Sequence, residues 1–565
     1  MTENRQRQLG SKVVYQIYPK SFCDSTGDGM GDLQGIRTHL DYLATLGVDY
    51  LWLTPFFVSP QNDNGYDVTD YRSVDPSFGT MSDFESVVSE ARAHGIGIML
   101  DMVFNHTSTS HEWFRRALAG DEKYQNYYFF RSGDESRPPT NWQSKFGGPA
   151  WQWVPSLGKW YLHLFDVSQA DLNWDNPAVR SELADVVKFW KEKGVNGFRF
   201  DVVNLISKPD EFFDDDDGDG RRFYTDGQHV HEYIQELVQR SGIDGMITVG
   251  EMSSTSIENC IRYSRPDDHE LSMTFSFHHL KVDYKNGNKW ELKKPDIGQL
   301  RKLFQTWQEQ MQAGGGWNAL FWSNHDQPRP VSRFCADQRY EKQCAKMLAS
   351  CIHLMRGTPY IYQGEELGMT NPGFSDISQY RDVESLNYYR ILLEQGKSKK
   401  EALHILAARS RDNARTPMQW TNGAYGGFSP MQWTAESGAG FTTGKPWIQI
   451  ADNHTTINAA AELSDPDSIW SYYQRLIKLR KSMSLISEGR IHFVGTFSEE
   501  VIAYERLYRD ERMLVLCSFS SDMTRPLGTA SIAGGKLLIG NYSDVATDHE
   551  SLLMRPYETL AFLWS

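Results

Sequence analysis

An arginine and an aspartate two residues apart, Arg199 and Asp201, stand at the centre of the run Gly194-Val-Asn-Gly-Phe-Arg-Phe-Asp-Val-Val-Asn204. Asn196-Gly197 reads as a tight turn, and the alternating large residues after it read as a buried strand. Side chains two apart on a strand share one side, so a guanidinium and a carboxylate are aimed into one space. A charge buried there is costly unless paired. Arg199 would hold Asp201 ionised at neutral pH, the state that a carboxylate nucleophile requires. Taken alone, the pair is equally consistent with a structural ion pair that closes the strand.

The elements around it carry more of the same chemistry. Strands are expected over Val13–Tyr18, Val48–Leu53, Gly97–Phe104, the Asp201 run, Met246–Gly250, Met273–Phe277, Ala319–Trp322 and Pro359–Tyr362. Amphipathic helices are expected between them, among them Leu33–Leu46, Met81–His94 and Pro177–Lys193. Eight strand–helix units imply a closed parallel (β/α)8 barrel, an α/β fold of the TIM-barrel kind. A doubly wound open sheet is the alternative, but no GxGxxG follows the first strand. In such a barrel the C-terminal strand ends line the active site. Those ends hold Asp67 (in Asn64-Gly-Tyr-Asp67), Asp101, His106, Arg199, Asp201, Glu251, His325 and Asp326. Each burial has a desolvation cost, so a structural role for the whole set is hard to sustain.

Two carboxylates flanking an acetal are the equipment of a glycosidase. Asp201 is expected to attack the anomeric carbon. Glu251 ends the largely apolar run Met246-Ile-Thr-Val-Gly250, a setting expected to raise its pKa so that it protonates the leaving oxygen and then activates water. Asp326 is expected to hold the sugar 2- and 3-hydroxyls, with His106 and His325 adding hydrogen bonds to the same ring.

Residues 1–106 and 173–486 are assigned to the barrel, with an irregular excursion over about 369–467. The Trp-, Gly- and Pro-rich stretch 107–172 is expected to form a small domain inserted after the third strand. Residues 487–565, with short runs at Ile491–Val494, Val501–Leu507, Met513–Ser518 and Lys536–Ile539, are expected to form a C-terminal all-β sandwich.

The 58 basic and 73 acidic residues leave a net charge of −15, which argues against nucleic acid or an anionic membrane surface as a partner. The first residues lack the apolar core of a secretory signal, and no run is long enough to cross a bilayer. Six cysteines without CxxC spacing suit free thiols in a reducing compartment. A cytoplasmic monomer is expected, with a small molecule as its partner and no organic cofactor.

Asp101-Met-Val-Phe-Asn-His106, Gly197-Phe-Arg-Phe-Asp201, Gly250-Glu251 and Asn324-His-Asp326 resemble, in order, the four signature segments of the α-amylase family of retaining glycoside hydrolases. That resemblance implies a double displacement on an α-glucoside, with Asp201 as nucleophile, Glu251 as acid/base and Asp326 as transition-state stabiliser. It further implies a terminal-glucose pocket built from Asp67, His106, Arg199, His325 and Arg411, the last in Arg411-Asp-Asn-Ala-Arg415. Gln169-Ala-Asp-Leu-Asn173, Val202 and Asn324-His-Asp-Gln-Pro-Arg329 are similar to the exo-acting oligo-1,6-glucosidase branch, whose usual form has Pro where Ala170 stands. The loop Asp24-Ser-Thr-Gly-Asp-Gly-Met-Gly-Asp32 resembles a calcium loop, with ligands from Asp24, Thr26, Asp28, Asp32 and the Met30 carbonyl. A solvated acidic turn is the other reading there, and a solvated loop is the preferred reading of Asp214-Asp-Asp-Asp-Gly-Asp219.

The segment Phe277-His-His-Leu-Lys281 to Lys294 places five lysines, 281, 285, 289, 293 and 294, within fourteen residues of an acidic chain. A neutral sugar gives no reason for them. One lysine about 4 Å from a phosphate charge gains about 4 kcal/mol at an effective dielectric of about 20, before desolvation. Composition alone also allows a merely solvated loop. Met252-Ser-Ser-Thr-Ser, Leu271 to Tyr284 and Gly316-Trp-Asn-Ala-Leu-Phe-Trp322 are similar to the phosphotrehalase group within that branch. This implies hydrolysis of a phosphorylated disaccharide, α,α-trehalose 6-phosphate, with its phosphate near Lys281 and Lys289. An oligo-1,6-glucosidase on isomaltose-like sugars is the alternative. An inactive transporter subunit, which predicts a membrane span and eroded carboxylates, is a third reading that the sequence does not favour.

Overall fold

Eight short parallel strands form one sheet in the computed structural model, which describes residues 8–421, 438–495, 498–525, 532–544 and 552–565. They are β1 (Val14–Ile17), β2 (Tyr50–Leu53), β3 (Gly97–Met102), β4 (Gly197–Phe200), β5 (Ile247–Met252), β6 (Met273–Ser276), β7 (Ala319–Leu320) and β8 (Thr358–Tyr362). The order runs β6-β5-β4-β3-β2-β1-β8-β7. A parallel bridge between Thr274 and Asn318 joins the two edges, so the sheet closes into the expected barrel. Every residue of β1, β3, β4 and β8 is buried, as a parallel sheet covered by helices on its outside requires.

The helices begin where their caps dictate. Thr80 and Asp83 form a reciprocal capping box on Met81–Ala93, and Asn176 caps Pro177–Glu192 with proline in the first turn. The helix expected over Leu33–Leu46 is two, Leu33–Arg37 and Leu40–Leu46. At the break the Thr38 hydroxyl donates to the Gly35 carbonyl, and the His39 ring bonds the same oxygen. Such local bonds compete with the helix ladder. The excursion after β8 is also less irregular than expected. Val383–Glu394 starts on the Asp382 carboxylate and Lys399–Arg409 on a Ser398–Glu401 capping box, both legible caps that the Gly- and Asn-rich surroundings obscured. Residues 422–437 of that excursion lie outside the described residues.

Between β3 and β4, His106–Ser108 pairs antiparallel with Gln169–Asp171, closing the neck of the insertion. Inside it Phe130–Ser132, Lys159–Leu162 and Trp151–Val154 make a three-stranded sheet. Trp142, Trp151, Leu162 and Leu164 pack with Val202, Leu205 and Tyr224 from the β4 loop, so the insertion rests on the residues directly after Asp201.

At the C-terminus, β9 (Arg490–Phe493), β10 (Val501–Tyr508), β11 (Glu511–Ser518), β12 (Lys536–Gly540) and β13 (Thr559–Trp564) form an antiparallel sheet in the order β9-β10-β11-β13-β12. The last strand was not anticipated, and among the described residues this is one sheet rather than the two of a sandwich. It is pinned to the barrel by Arg506, fully buried, which donates to the carbonyls of Leu354, Gly489 and Arg490.

Candidate active site

Register places the chemistry. Arg199 on β4 lies directly beside Asp101 on β3, and Phe200 lies beside Gly250 on β5, so Asp201 and Glu251 stand level on neighbouring strands. Adjacent strands run about 4.8 Å apart, so the two side chains start from neighbouring backbones. Gly250 is closely packed in this row: a Cβ there would come within 2.5 Å of the Leu271 and Met252 side-chain ends, which would have to shift. After Asp201 the chain leaves the strand through Val202 at φ 36°, ψ 39°, a left-handed conformation unfavourable for a β-branched residue. The packing of the insertion against Val202 holds that turn in place.

Arg199 is the hub. One nitrogen, Nη1, donates to Asp101 Oδ1 at 2.5 Å and Asp201 Oδ1 at 2.7 Å, and the other, Nη2, contacts Glu251 Oε2. Burial opposes the charge on this guanidinium, but Asp101 and Asp201 more than compensate and hold it firmly protonated. Asp101 is also fixed by Trp52 Nε1 at 3.1 Å and the Tyr66 hydroxyl at 2.8 Å. The apolar setting expected around Glu251 is therefore only part of its surroundings, because the guanidinium bridges both carboxylates. The Asp201 and Glu251 side chains remain 11% and 14% exposed, against 0% for Asp101, so the first two open onto the cavity.

Asp326 faces them from beyond β7, its side chain 29% exposed. Burial alone would raise its pKa, but the Arg411 and Arg415 guanidiniums hold the carboxyl far below the usual range. Arg415 Nη2 donates to it at 2.7 Å and Arg411 Nη1 at 3.5 Å. The two arginines, four residues apart on one short helical turn, share a face and both also reach Asp382. His325 bonds Gln16 through Nδ1 at 2.8 Å and stacks on Tyr66 with ring centroids 5.0 Å apart. Burial lowers His325 to about 3 and also lowers His106, so both rings are neutral near pH 7. His106 Nε2 lies 3.1 Å from the Tyr66 carbonyl and 3.2 Å from the Gln169 amide.

Asp201, Glu251, Asp326, Arg199, His106, His325 and Arg411 thus gather at one end of the barrel. Asp67 does not join them. Its carboxylate is taken up by Ser59 Oγ and the backbone amides of Asn62 and Asp63, which shape its own loop. The carboxylate of that loop that meets Arg411, at 2.8 Å, belongs to Asp63. Both aspartates are legible in Asp63-Asn-Gly-Tyr-Asp67, but spacing does not say which faces the cavity. Tyr66, Gln169, Asp382 and Arg415 were also missed. Tyr66, Gln169 and Arg415 lie within motifs named above that gave them no role of their own, and Asp382 carried no local signal.

The two lysines differ. Lys289 is committed: its ammonium sits 2.6 Å from Glu384 Oε2 and over the Trp290 ring. Burial lowers its pKa and Glu384 more than restores it. Lys281, ending the turn His278–Lys281 after β6, is half-buried and makes no ion pair among the described residues.

In the Asp24–Asp32 loop, glycines 27 and 29 take positive φ. Asp24 accepts from the backbone amides of Thr26, Gly27 and Gly29 and from Thr442 Oγ1, while Asp32 accepts from Ser25 and caps Leu33–Arg37. The oxygen-only donor set suits a hard cation in kind, yet among the described residues no three such carboxylates, histidines or cysteines converge on one point. In the acidic run 214–219, expected to be solvated, Asp215 is instead buried and bonds Gly220 N and Arg222.

The alpha-amylase catalytic-domain family model matches residues 16–430 and 429–489. A trehalose-6-phosphate hydrolase of Escherichia coli is 51% identical over 553 residues, 98% of each chain. An oligo-1,6-glucosidase of Parageobacillus thermoglucosidasius is 42% identical over 97% of this chain and 98% of its own. The crystal structure of a Bacillus licheniformis trehalose-6-phosphate hydrolase superposes with a TM-score of 0.91 at 50% identity, covering 98% of this chain and 99% of that one. Closed barrel, bridged carboxylates and near full-length similarity lead to one conclusion: the chain belongs to the alpha-amylase family of glycoside hydrolases.

Proposed function

We propose that the chain hydrolyses α,α-trehalose 6-phosphate to glucose and glucose 6-phosphate with retention at the anomeric carbon. The observation that carries the mechanism is the in-register pair Asp201 and Glu251 bridged by Arg199. One guanidinium contacting both carboxyls keeps them close, as a covalent glycosyl-enzyme requires; retaining pairs stand about 5–5.5 Å apart, whereas inverting enzymes keep theirs about 6.5–9.5 Å apart. An Asp201 oxygen attacks C1 of the unphosphorylated glucose. The bond from C1 to the bridging oxygen breaks as Glu251 gives that oxygen its proton, releasing glucose 6-phosphate. Water then attacks C1, Glu251 takes the proton, and the Asp201 ester opens to free glucose. Asp326, kept anionic by its arginines, holds the 2- and 3-hydroxyls and favours the oxocarbenium-like transition state. Neutral His106 and His325 hydrogen-bond the same ring, and Asp63 with Arg411 closes its far side.

The substrate rests on similarity, 51% to a trehalose-6-phosphate hydrolase against 42% to an oligo-1,6-glucosidase, together with Lys281 in the loop after β6, which makes no ion pair among the described residues. A cytoplasmic monomer is part of this reading, the compartment because a sugar phosphate does not cross a membrane unaided. No described helix is long and apolar enough to cross a membrane. Calcium in the Asp24–Asp32 loop would be structural, held by Asp24, Thr26, Asp28, Asp32 and the Met30 carbonyl, and would tie down the loop after β1. Titration calorimetry with calcium on chelator-treated protein tests it, and absence of binding removes the ion.

Turnover on trehalose 6-phosphate, trehalose and isomaltose tests the substrate. The expected kcat/KM on the phosphorylated sugar exceeds both others by at least about tenfold. Equal or better turnover of isomaltose would replace this reading with the oligo-1,6-glucosidase one.

A further inference from the structure

The two strands that carry the reacting carboxyls separate just past them. β4 pairs with β5 as far as Phe200 beside Gly250 and then turns away through Val202. β5 runs on for two more residues, held on its other side by β6, where Glu251 lies beside Phe275 and Met252 beside Ser276. Its chain then turns at Ser254, which takes φ 57°. On the β4 side, Glu251 would stand at a free edge if a side chain did not resume the ladder.

Asn204, fully buried on the turn Val203–Leu205, resumes it. Ser253 N donates to Asn204 Oδ1 at 2.9 Å, and Asn204 Nδ2 donates to the Ser253 carbonyl at 2.9 Å. An amide side chain carries the same donor and acceptor as a peptide group, so it pairs with Ser253 as the missing strand would. Its second hydrogen goes to Asp226 Oδ1 at 3.1 Å, and Asp226 N donates to the Asn204 carbonyl at 2.9 Å. Asp226 is held in turn from the helix after β5, Ile257–Ser264, by Asn259 Nδ2 at 2.9 Å and the Tyr263 hydroxyl at 2.8 Å.

This rung ties the chain just past Asp201 to the chain just past Glu251. Arg199 ties the same two segments from inside the barrel, but through charge. In a double displacement Asp201 becomes a neutral ester while Glu251 gives and regains a proton, so the charges that Arg199 grips shift at each step. The bonds between Asn204 and Ser253 join neutral groups and keep their strength throughout. A carboxyl that protonates the leaving oxygen in one step and takes a proton from water in the next needs one fixed place.

We propose that Asn204 is a positioning residue for the acid/base Glu251, holding its strand at a constant offset from the nucleophile through both half-reactions, with Asp226 as its anchor. This rests on the double-displacement reading and is independent of which disaccharide is cleaved.

The test measures kcat/KM on 4-nitrophenyl and phenyl α-glucosides for the wild type, Glu251→Gln, Asn204→Leu and Asp226→Asn. Nitrophenoxide leaves with little proton help, so a displaced acid slows the phenyl glucoside more. For Asn204→Leu the fall on the phenyl glucoside is expected to exceed that on the nitrophenyl glucoside by at least about tenfold, with KM little changed. Glu251→Gln should show the same bias more strongly. Asp226→Asn, which leaves the rung but loosens its anchor, should show a smaller bias in the same direction, and it decides the matter should Asn204→Leu not fold. Equal losses on both glucosides, or no loss, in the Asn204 and Asp226 variants would overturn the proposal while leaving the mechanism intact. Equal losses in Glu251→Gln would overturn the acid/base reading, and the proposal with it.

Discussion

At the residue scale the site is a study in which charges are spent and which are left free. Arg199 serves three carboxylates at once, and the two that stay partly exposed are the two that the reaction needs. Asp63 and Asp67 make the same point from a single loop. Asp67 has three local donors for its two oxygens, whereas Asp63 is aimed across the cavity at Arg411. Asp63→Asn should therefore lower kcat/KM on any α-glucoside by about 100-fold, the scale of a lost charge-assisted bond of about 3 kcal/mol. Asp67→Asn should act mainly through stability, lowering the melting temperature with a smaller kinetic effect. Steady-state kinetics beside thermal unfolding separates the two, and the reverse pattern would return the pocket role to Asp67.

At the element scale, most of what positions the site was legible. Strand ends announce themselves when a short apolar run stops at a charged residue, as at Asp101, Asp201 and Glu251, because burying that charge demands a reason. What could not be read was partnership across long sequence distance. Lys281 and Lys289 look alike in the sequence, but Lys289 finds Glu384, ninety-five residues on, and is neutralised. The turn after β8 carries a second unread feature. Glu365 and Glu366 are buried together, Glu365 bonded by Tyr473 at 2.8 Å and Glu366 by Tyr15 and Tyr42. Burial raises Glu365 from 4.5 to about 8. A carboxyl raised in the folded state costs stability progressively as pH climbs from about 4.5 towards 8, because the unfolded chain releases the proton first. Glu365→Gln removes that cost. Its melting temperature relative to the wild type should be higher at pH 8 than at pH 5, by about 2 °C or more; a pH-independent difference would place the ionised form in the fold.

At the scale of the whole molecule, the barrel supplies register, the insertion packs against the turn after Asp201, and the C-terminal sheet supplies anchorage. Arg506 illustrates the last. Among the described residues it meets no carboxylate, burial lowers it to about 9, and the carbonyls of Leu354 on the barrel side, Gly489 in the linker and Arg490 on β9 accept its hydrogen bonds. Arg506→Met would leave those carbonyls buried and unpaired, at about 1–3 kcal/mol each for those that water cannot reach. The melting temperature should fall by several degrees without any change in KM; a shift in KM at constant stability would mean that the sheet reaches the site.

The central claim is that Asp201 and Glu251, level on neighbouring strands and bridged by one guanidinium, carry out a double displacement. The most direct test follows the anomeric protons of freshly released sugar by NMR, before mutarotation sets in. The account predicts that glucose from trehalose 6-phosphate is born as the α-anomer. Glucose born as the β-anomer would mean a single direct attack by water and would contradict it.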